Sequence, residues 1–499
     1  MDEIRVTYSG LISLIFGIIN IPIGMVFTLI LTRTVNTVEY GTWGLILGII
    51  VYATIVEPII SNWSTREIAR GESSGKTAIF SGSLFSIVGI LIYSIVILFI
   101  STRTNADFDI LLVGIILIPL IYMNRILTGI TLGWKPHGTS YGQIIFGISQ
   151  VINGIIFVYF LKMGVIGIII SVSIAYSISI IFYLLYNKKK IKTEFKTKFL
   201  KKWIKLSWIP LYPTIANMIL FLDITVFSVI TGSVTGAAYW TISLAITSII
   251  MSSSLVSRAV YSKLLQNKEK NFISDSLRQL FYFLIFFTII VITFAKPGLF
   301  LLNTQYIILE PIVIILSFQI FLFAFTRNLQ NYILGIEKVD MNSKSTFREF
   351  LKSKLFFVPT ISLVQSITYI VLLIIILTFI EVKEKNDVDL VYFWSIIALL
   401  VQIPITTYTI ILFKKNFSMK MKIKNIIKYL GTGIFVFIIT TILINSFFTY
   451  ENNILKNLSQ IILLMMFSAI SFIGITAYID TETKQLIKSI LNEIRNKNN

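Results

Sequence analysis

The sequence predicts an all-α integral membrane protein of about fourteen transmembrane helices. Apolar residues make up 56% of its 499 residues and charged residues only 13%, about half the charged share of a soluble domain. The apolar residues also come in blocks of about 20 or more, the length that crosses about 30 Å of hydrocarbon as a helix. Each block is predicted to be helical because backbone polar groups in lipid must find partners within their own segment.

The predicted spans are the apolar blocks that lie between charged breaks. The first block is longer than the apolar core of a signal peptide and has no small-residue cleavage site after it, so it is predicted to be a span. In chain order, the predicted spans are 9–31, 41–62, 77–100, 109–134, 139–161, 163–186, 204–231, 234–260, 278–302, 306–335, 354–380, 388–413, 425–447 and 454–479.

The distribution of basic residues predicts the topology. When both termini are placed in the cytoplasm, most of the 43 Lys and Arg residues fall on the cytoplasmic side. The exceptions are Arg33, Arg103, Lys162, Lys296, Lys383, Lys385 and Lys456. This asymmetry is the one that the positive-inside rule describes. We therefore predict a multi-pass protein of the plasma membrane with cytoplasmic N- and C-termini.

A run of lysines between spans six and seven divides the chain. Residues 188–205 hold nine lysines and one glutamate. Because the run lies between membrane spans, contact with anionic lipid headgroups explains it better than nucleic-acid binding. The predicted domains are an N-lobe of spans one to six at 1–187, a basic cytoplasmic linker at 188–203, a C-lobe of spans seven to twelve at 204–413, spans 13 and 14 within 414–479, and a cytoplasmic tail at 480–499.

The two predicted lobes carry matching segments. Span four contains Arg125 and span ten contains Arg327, and both arginines begin the pattern R-x-L-x-x-x-x-L-G. Arg66, after span two, has a counterpart in Arg258, near the end of span eight. Because arginine inside a span is uncommon, its recurrence in the same ordinal span indicates duplication. Six is an even number, so the lobes have the same orientation, as in transporters whose parallel repeats rock about a central substrate site.

Basic residues at membrane depth are candidate functional residues, because charge there is costly. The candidates for a cationic substrate cleft are Arg125, Arg327 and Arg258, together with Arg33 at the outer end of span one. Two guanidinium groups that face one cleft would suit a diphosphate, which they can bind in bidentate fashion. The alternative is that the arginines extend to the headgroups of the nearer membrane surface.

Two acidic residues are candidates for ion coupling or ion pairing. Asp223 lies well inside span seven among leucine, phenylalanine and isoleucine. A carboxyl group there must face protein or water, or be protonated. Glu57 precedes Pro58 in span two, and it either does the same work or marks a kink.

Other kinds of chemistry lack the residues that they require. The chain has no cysteine, and its single histidine, His137, cannot form a histidine cluster, so thiol chemistry and the common metal sites are excluded. Residues 71–77 resemble a phosphate-binding loop but have three residues between the glycines instead of four. We predict no enzymatic activity, no cofactor and no metal. The D-x-D pairs at 107–109 and 387–389 leave a membrane glycosyltransferase as a weaker alternative.

Several short segments give the sequence a family resemblance. They are Thr32-Arg33 followed by Glu39-Tyr40-Gly41, the segment S-T-R-E-I-A-R-G at 64–71, and Asp223 followed by G-A-A-Y at 236–239. In this order on a fourteen-span frame, the sequence resembles the polysaccharide and lipid-linked oligosaccharide flippases of the multidrug/oligosaccharidyl-lipid/polysaccharide exporter superfamily. One position departs from that family: Thr225 stands two residues after Asp223, where a basic or polar partner is common.

The resemblance implies an alternating-access flippase for surface polysaccharide or glycan assembly. Its cargo would be a polyprenyl-diphosphate-linked oligosaccharide, moved from the cytoplasmic to the outer leaflet, with spans 13 and 14 beside the lipid tail. The expected partners are this substrate, membrane lipids and glycan-assembly enzymes, without nucleic acid, and we expect a monomer. The residues alone indicate an anionic substrate. Asp223 and Glu57 leave open an ion-coupled multidrug exporter of the same superfamily, which needs an acidic cleft.

Overall fold

The computed structural model describes residues 6–257, 272–337, 347–379, 385–417, 422–451 and 453–485. These ranges are mostly helical and contain no strand, which confirms the all-α prediction. Within them, twelve helices are long and apolar enough to cross a membrane, or thirteen if one bent pair counts as a span. A further apolar helix, Ile19–Thr34, lies in the first predicted span. The count of fourteen spans stays a prediction.

The main helices are numbered in chain order. They are α1 (Val6–Thr34), α2 (Thr37–Ala53), α3 (Pro58–Ala69), α4 (Gly75–Ser101), α5 (Phe108–Trp134), α6 (His137–Phe160), α7 (Gly164–Tyr186), α8 (Thr197–Lys205), α9 (Trp208–Thr231), α10 (Thr235–Ser254), α11 (Phe272–Thr293), α12 (Ala295–Leu302), α13 (Thr304–Gly335), α14 (Lys354–Phe379), α15 (Asp387–Asn416), α16 (Ile423–Phe447) and α17 (Ile454–Ile479). Single helical turns at Lys188–Ile191 and Phe347–Leu351 connect some of them.

The chain forms two compact units. The first consists of Met1–Ala245 and Glu337–Ile405, and the second of Ile246–Ile336 and Thr406–Asn499. The division therefore falls within α10 and within α15. The two-lobe organisation predicted at 1–187 and 204–413 stays a prediction.

A bend separates α2 from α3 within one predicted span. The two helices meet at 63° across residues 54–57, so the kink that Pro58 suggested is present. Proline is accepted at the first position of a helix because its missing N–H would have no helical partner there. The Tyr122 hydroxyl of α5 donates to the Ala53 carbonyl at 2.9 Å, which satisfies a backbone oxygen at the bend. Glu57 stands at this bend.

Two glycines let α5 pack closely against α3 in the first unit. A Cβ atom on Gly133 would lie 2.7 Å from the Thr65 carbonyl oxygen, and one on Gly129 would lie 3.0 Å from the Ser61 carbonyl oxygen. The Thr65 hydroxyl also donates to the Gly129 carbonyl at 2.8 Å. Glycines four residues apart are a common basis for close helix contacts in membranes. The glycine of the R-x-L-x-x-x-x-L-G pattern therefore has a packing role in this half of the chain.

The basic linker contains a docked amphipathic helix, α8. Phe199 and Trp203 are buried in a cluster with residues of α3 and α5. Lys202 Nζ lies 2.5 Å from Glu67 Oε1 of α3. The Thr77 hydroxyl accepts the Lys196 N–H at 2.9 Å. Aromatic burial and one ion pair therefore attach α8 to its neighbours, while Lys198, Lys201 and Lys205 of this helix are exposed.

The second unit has an aromatic core between α11, α16 and α17. Tyr282, Ile285, Tyr429, Val436 and Phe472 form its buried centre. The Tyr282 hydroxyl lies 3.2 Å from the Thr476 hydroxyl, and its ring meets that of Tyr429 edge to face at 5.1 Å between centroids. Such aromatic pairs add about 0.5–1.5 kcal/mol to area burial.

A buried ionic network stands at one end of this core. Arg278 of α11 pairs with Asp480 after α17, at 3.5 Å between Nη1 and Oδ2, and both side chains are 5% exposed. Arg278 Nε also lies 2.9 Å from Glu482 Oε2. The Tyr429 hydroxyl of α16 donates to Asp480 at 2.6 Å, and Thr483 donates to it at 2.5 Å. The network therefore joins α11 and α16 to the segment after α17 through one arginine and two carboxylates.

Candidate functional site

The first unit contains an open polar cavity of about 520 Å³. Helices α1, α3, α5, α6 and α7 surround it, and Glu57 reaches it from the bend before α3. All but two of its lining residues, Gly142 and Phe146, carry a hydroxyl, amide or charged group: Asn20, Glu57, Ser61, Asn124, Arg125, Thr128, Gln143, Tyr176, Ser179 and Tyr183. This volume is within the usual range of a small-molecule site, but so polar a lining is uncommon among largely apolar helices.

Arg125 is the basic group of this cavity. It lies on α5, two residues before Leu127, and its side chain is 47% exposed. Among the described residues, no side chain or backbone oxygen accepts a hydrogen bond from its guanidinium group. A guanidinium carries five N–H donors in a planar fork. Arg125 therefore offers donors that an oxyanion in the cavity can use.

Glu57 is the counter-ion of Arg125. The nearest atoms, Arg125 Nη1 and Glu57 Oε2, are 3.8 Å apart, and the Glu57 side chain is only 4% exposed. At this distance the two groups form an ion pair without a direct hydrogen bond. The other carboxylate oxygen, Oε1, is buried and has no hydrogen-bond partner among the described residues. The structure thus brings together two residues that the sequence singled out separately.

Amide and hydroxyl groups line the cavity together with Arg125. Asn124 Nδ2 donates to the Ser179 hydroxyl of α7 at 2.9 Å. The rings of Phe146 and Tyr176 pack with centroids 4.6 Å apart. Gln143 contributes an amide from α6. Hydroxyls and amides can both donate and accept hydrogen bonds, so the cavity can hold a ligand rich in hydroxyl groups as well as an anion.

Asp223 forms a second polar centre in the same unit. It is 7% exposed and begins the second half of α9, after an interruption at residues 221–222. Tyr369 of α14 donates to Asp223 Oδ2 at 3.0 Å, and the Ile224 N–H donates to Oδ1 at 2.8 Å. Trp394 Nε1 of α15 in turn donates to the Tyr369 hydroxyl at 2.5 Å. In the described part of the chain, no lysine or arginine pairs with Asp223.

Aromatic rings close the surroundings of Asp223. Trp394 stacks on Trp240 at 4.0 Å and on Phe227 at 4.8 Å between centroids. At the interruption of α9, the Tyr52 hydroxyl donates to the Phe221 carbonyl at 3.2 Å and lies 3.0 Å from the Thr225 hydroxyl. Thr225, the departure from the family pattern, is therefore bonded to Tyr52 rather than to Asp223.

The other predicted basic residues lie outside this cavity. Arg327 is half-buried on α13 in the second unit, with its guanidinium carbon 5.1 Å from the centre of the Phe323 ring. Arg33 is half-buried in the last turn of α1. Arg258 falls outside the described residues. A shared cleft for these arginines stays a prediction.

Sequence reasoning missed several residues of both centres. Asn124 and Gln143 lie in spans where amides are uncommon, so polarity alone could have drawn attention to them. Tyr369 and Trp394 gave no signal, because aromatic residues make up 14% of this chain. Their partner Asp223 lies 146 residues before Tyr369, and only the folded chain brings them together.

Solved structures with the same fold are found by comparison with known proteins. No family model matches the sequence, and no curated protein matches it. Among solved structures, the lipid II flippase MurJ in its inward closed conformation matches with a TM-score of 0.64 at 14% identity, over 92% of this chain and 98% of that chain. An inward-facing multidrug resistance MATE family transporter of the MOP superfamily matches with a TM-score of 0.55 at 13% identity, over 81% of this chain and 98% of that chain.

A third solved structure, a MOP superfamily transporter from Pyrococcus furiosus described as having a binding pocket of reversed polarity, matches with a TM-score of 0.52. It is 12% identical and covers 82% of this chain and 95% of that chain. At such low identities these likenesses establish a shared fold.

Proposed function

We propose that this chain, a multi-pass membrane protein with the fold of the MOP superfamily transporters, is a lipid-linked oligosaccharide flippase. It would move a polyprenyl-diphosphate-linked oligosaccharide from the cytoplasmic to the outer leaflet by alternating access. The observation that carries the proposal is the polar cavity of the first unit, where Arg125 presents unused N–H donors beside amide and hydroxyl groups. The cytoplasmic termini, the plasma membrane location and the monomeric state belong to the same proposal.

Each part of the cargo has a chemical counterpart in the cavity. Arginine binds phosphate oxygens through two parallel N–H donors, so Arg125 would hold the diphosphate. Asn20, Asn124 and Gln143 would bind sugar hydroxyls, since a carboxamide both donates and accepts hydrogen bonds. The lipid tail would remain in the bilayer. Arg327, Arg258 and Arg33 enter the proposal from the sequence alone, as further cations for the headgroup.

Asp223 is proposed to couple transport to an ion or a proton. It begins a half-helix inside a predicted span, the kind of interrupted helix at which transporters place ion sites. Its donors, Tyr369 and the Ile224 N–H, favour the charged form, while burial favours the neutral form. Replacing Asp223 with asparagine should leave the protein folded but slow transport, which a reconstituted assay would measure.

The alternative function is export of small cationic drugs. Asp223 is the observation that favours it, because a buried carboxylate without a basic partner in the described part of the chain could attract a cation. The Arg125 cavity argues against it, since the exposed charge in that cavity is positive. Transport of a cationic dye that needs Asp223 but not Arg125 would support this alternative.

The test of the flippase proposal is reconstitution into liposomes. A fluorescent polyprenyl-diphosphate-linked oligosaccharide in the outer leaflet would be bleached by a membrane-impermeant reductant, so its exchange between leaflets can be followed. A hydrogen bond to a charged group contributes about 1.5–3 kcal/mol, so Arg125→Ala should slow exchange by about 10- to 100-fold.

Arg103→Ala is the matched control for this test, because Arg103 is an exposed arginine outside the cavity. It should exchange the cargo at the wild-type rate. Equal rates for Arg125→Ala and the wild-type protein, with equal amounts of folded protein, would contradict the proposal.

A further inference from the structure

We infer that cargo binding in the Arg125 cavity is linked to the uptake of one proton by Glu57. The inference rests on the proposed function, in which Arg125 holds a phosphate of the cargo. It adds that anion and proton bind together, so that Glu57 acts as a proton acceptor whose charge is controlled by whether Arg125 is occupied.

The two side chains of the ion pair differ in their exposure to the cavity. Arg125 is 47% exposed to the cavity, whereas Glu57 is 4% exposed. The pair is separated by 3.8 Å, and Glu57 Oε1 has no hydrogen-bond partner in the described ranges. A ligand can therefore reach Arg125 from the cavity, but Glu57 stays buried and has one cation beside it among those residues.

The backbone holds Glu57 in its place. It stands at the 63° bend between α2 and α3, directly before Pro58. Tyr122 fixes this bend from α5 through its hydrogen bond to the Ala53 carbonyl. These contacts hold the backbone on both sides of Glu57, so its carboxylate stays beside the cavity and next to Arg125.

Cargo competes with Glu57 for Arg125. A diphosphate can make shorter, bidentate hydrogen bonds to a guanidinium group, whereas Glu57 makes only a loose ion pair. Once the cargo draws the guanidinium group away, a buried carboxylate is left without a counter-ion, which is strongly unfavourable. Such a group neutralises by binding a proton. A hydronium ion in the cavity gives up the proton: one of its O–H bonds breaks to leave a water molecule, and an O–H bond forms on Glu57.

Few other groups near Glu57 can take part. Arg125 and Tyr122 face it from α5, and Tyr176 and Tyr183 line the cavity from α7. The remaining elements around it carry uncharged groups at the cavity, one exposed lysine, or charged groups with partners elsewhere. These are Asn20 of α1, Gln143 of α6, Lys76 at the start of α4, Lys202 of α8 paired with Glu67, and Asp223 of α9 bonded to Tyr369.

The test measures protons taken up when an anionic lipid binds. Purified full-length protein in detergent is titrated with farnesyl diphosphate by calorimetry at about pH 8, in two buffers with different heats of ionisation. At this pH a phosphate group, whose last pKa is about 6, keeps a nearly constant charge. We expect uptake of about one proton per bound ligand, and an affinity that falls by up to tenfold per pH unit as pH rises.

Glu57→Gln is the variant that separates proton uptake from binding. Glutamine keeps the shape of the side chain but cannot ionise. We expect proton uptake near zero, an affinity that no longer changes with pH, and tighter binding than wild type at about pH 8 because Arg125 has no competitor. Farnesol, which has the same tail without the diphosphate, should bind with no proton uptake in either protein.

The outcomes distinguish this inference from the proposed function. Absence of farnesyl diphosphate binding to wild-type protein at any pH, or binding unchanged by Arg125→Ala, would overturn the flippase site and the inference together. Arg125-dependent binding without proton uptake would overturn the inference alone. Uptake that persists in Glu57→Gln would also overturn it, because another group would then be the acceptor.

Discussion

Replacing Arg278 with methionine tests whether the buried ionic network stabilises the second unit. Arg278 and Asp480 are both 5% exposed, with their charged groups 3.5 Å apart. At an effective dielectric constant of about 20, charges at that distance attract by about 5 kcal/mol. Removal of one partner from a buried pair costs about 3–5 kcal/mol. Since Tyr429 and Thr483 still donate to Asp480, we expect a loss of about 3 kcal/mol, at the lower end of that range.

The assay is unfolding of the detergent-solubilised protein by sodium dodecyl sulfate, followed by circular dichroism. Lys424→Met is the matched control, because Lys424 lies exposed on α16 and its replacement should change the free energy of unfolding by less than about 0.5 kcal/mol. The double variant Arg278→Met with Asp480→Asn should regain most of the loss, since no buried charge remains. If Arg278→Met unfolds like Lys424→Met, the network contributes nothing and the reasoning is refuted.

Three further predictions concern packing and pH. Gly133→Leu should prevent the contact of α5 with α3, because its Cβ would lie 2.7 Å from the Thr65 carbonyl oxygen. Gly474→Leu is the control, since a Cβ at Gly474 has no atom within 4 Å. The yield of folded protein should fall for the first variant and not for the second. Trp203→Ala should cost about 3–5 kcal/mol of unfolding free energy, since Trp203 is fully buried. Burial raises the pKa of Asp480, but hydrogen bonds from Thr483 and Tyr429 and the Arg278 charge lower it by more. Ionised Asp480 therefore stabilises the fold above its ordinary pKa of about 3.9, and this stabilisation is lost as the pH falls through the lowered pKa. The free energy of unfolding of the wild-type protein should fall in this acid range. Asp480→Asn should lack this step when its unfolding is measured across the same pH range.

Hydrophobic blocks predicted the helices well because lipid imposes both their length and their backbone hydrogen bonding. The last predicted span, 454–479, coincides with α17. The predicted span 278–302 instead contains two helices, α11 and α12, that meet at Phe294. Lys296 and Pro297 directly follow that junction, but a single lysine did not interrupt so long an apolar block, so hydropathy alone did not show the break.

The sequence predicted charged residues of the candidate site but not their partners. Charge at membrane depth singled out Arg125, Glu57 and Asp223, and the structure makes each a member of a polar centre. Which groups pair could not be read from the sequence. Glu57 and Arg125 are 68 positions apart, and Tyr369 reaches Asp223 from a helix far along the chain. Pairing depends on helix order and rotation, which the polarity of a sequence does not specify.

The docked linker helix has a mechanical consequence. Trp203 and Lys202 attach α8 to α3 and α4. The connection into α9 is therefore short and held in place. Only residues 206 and 207 separate α8 from α9, so α9 starts from an anchored point. A movement of the C-terminal half of α9 therefore requires bending within α9. Pro213 and the interruption at residues 221–222 are the places where this helix can bend.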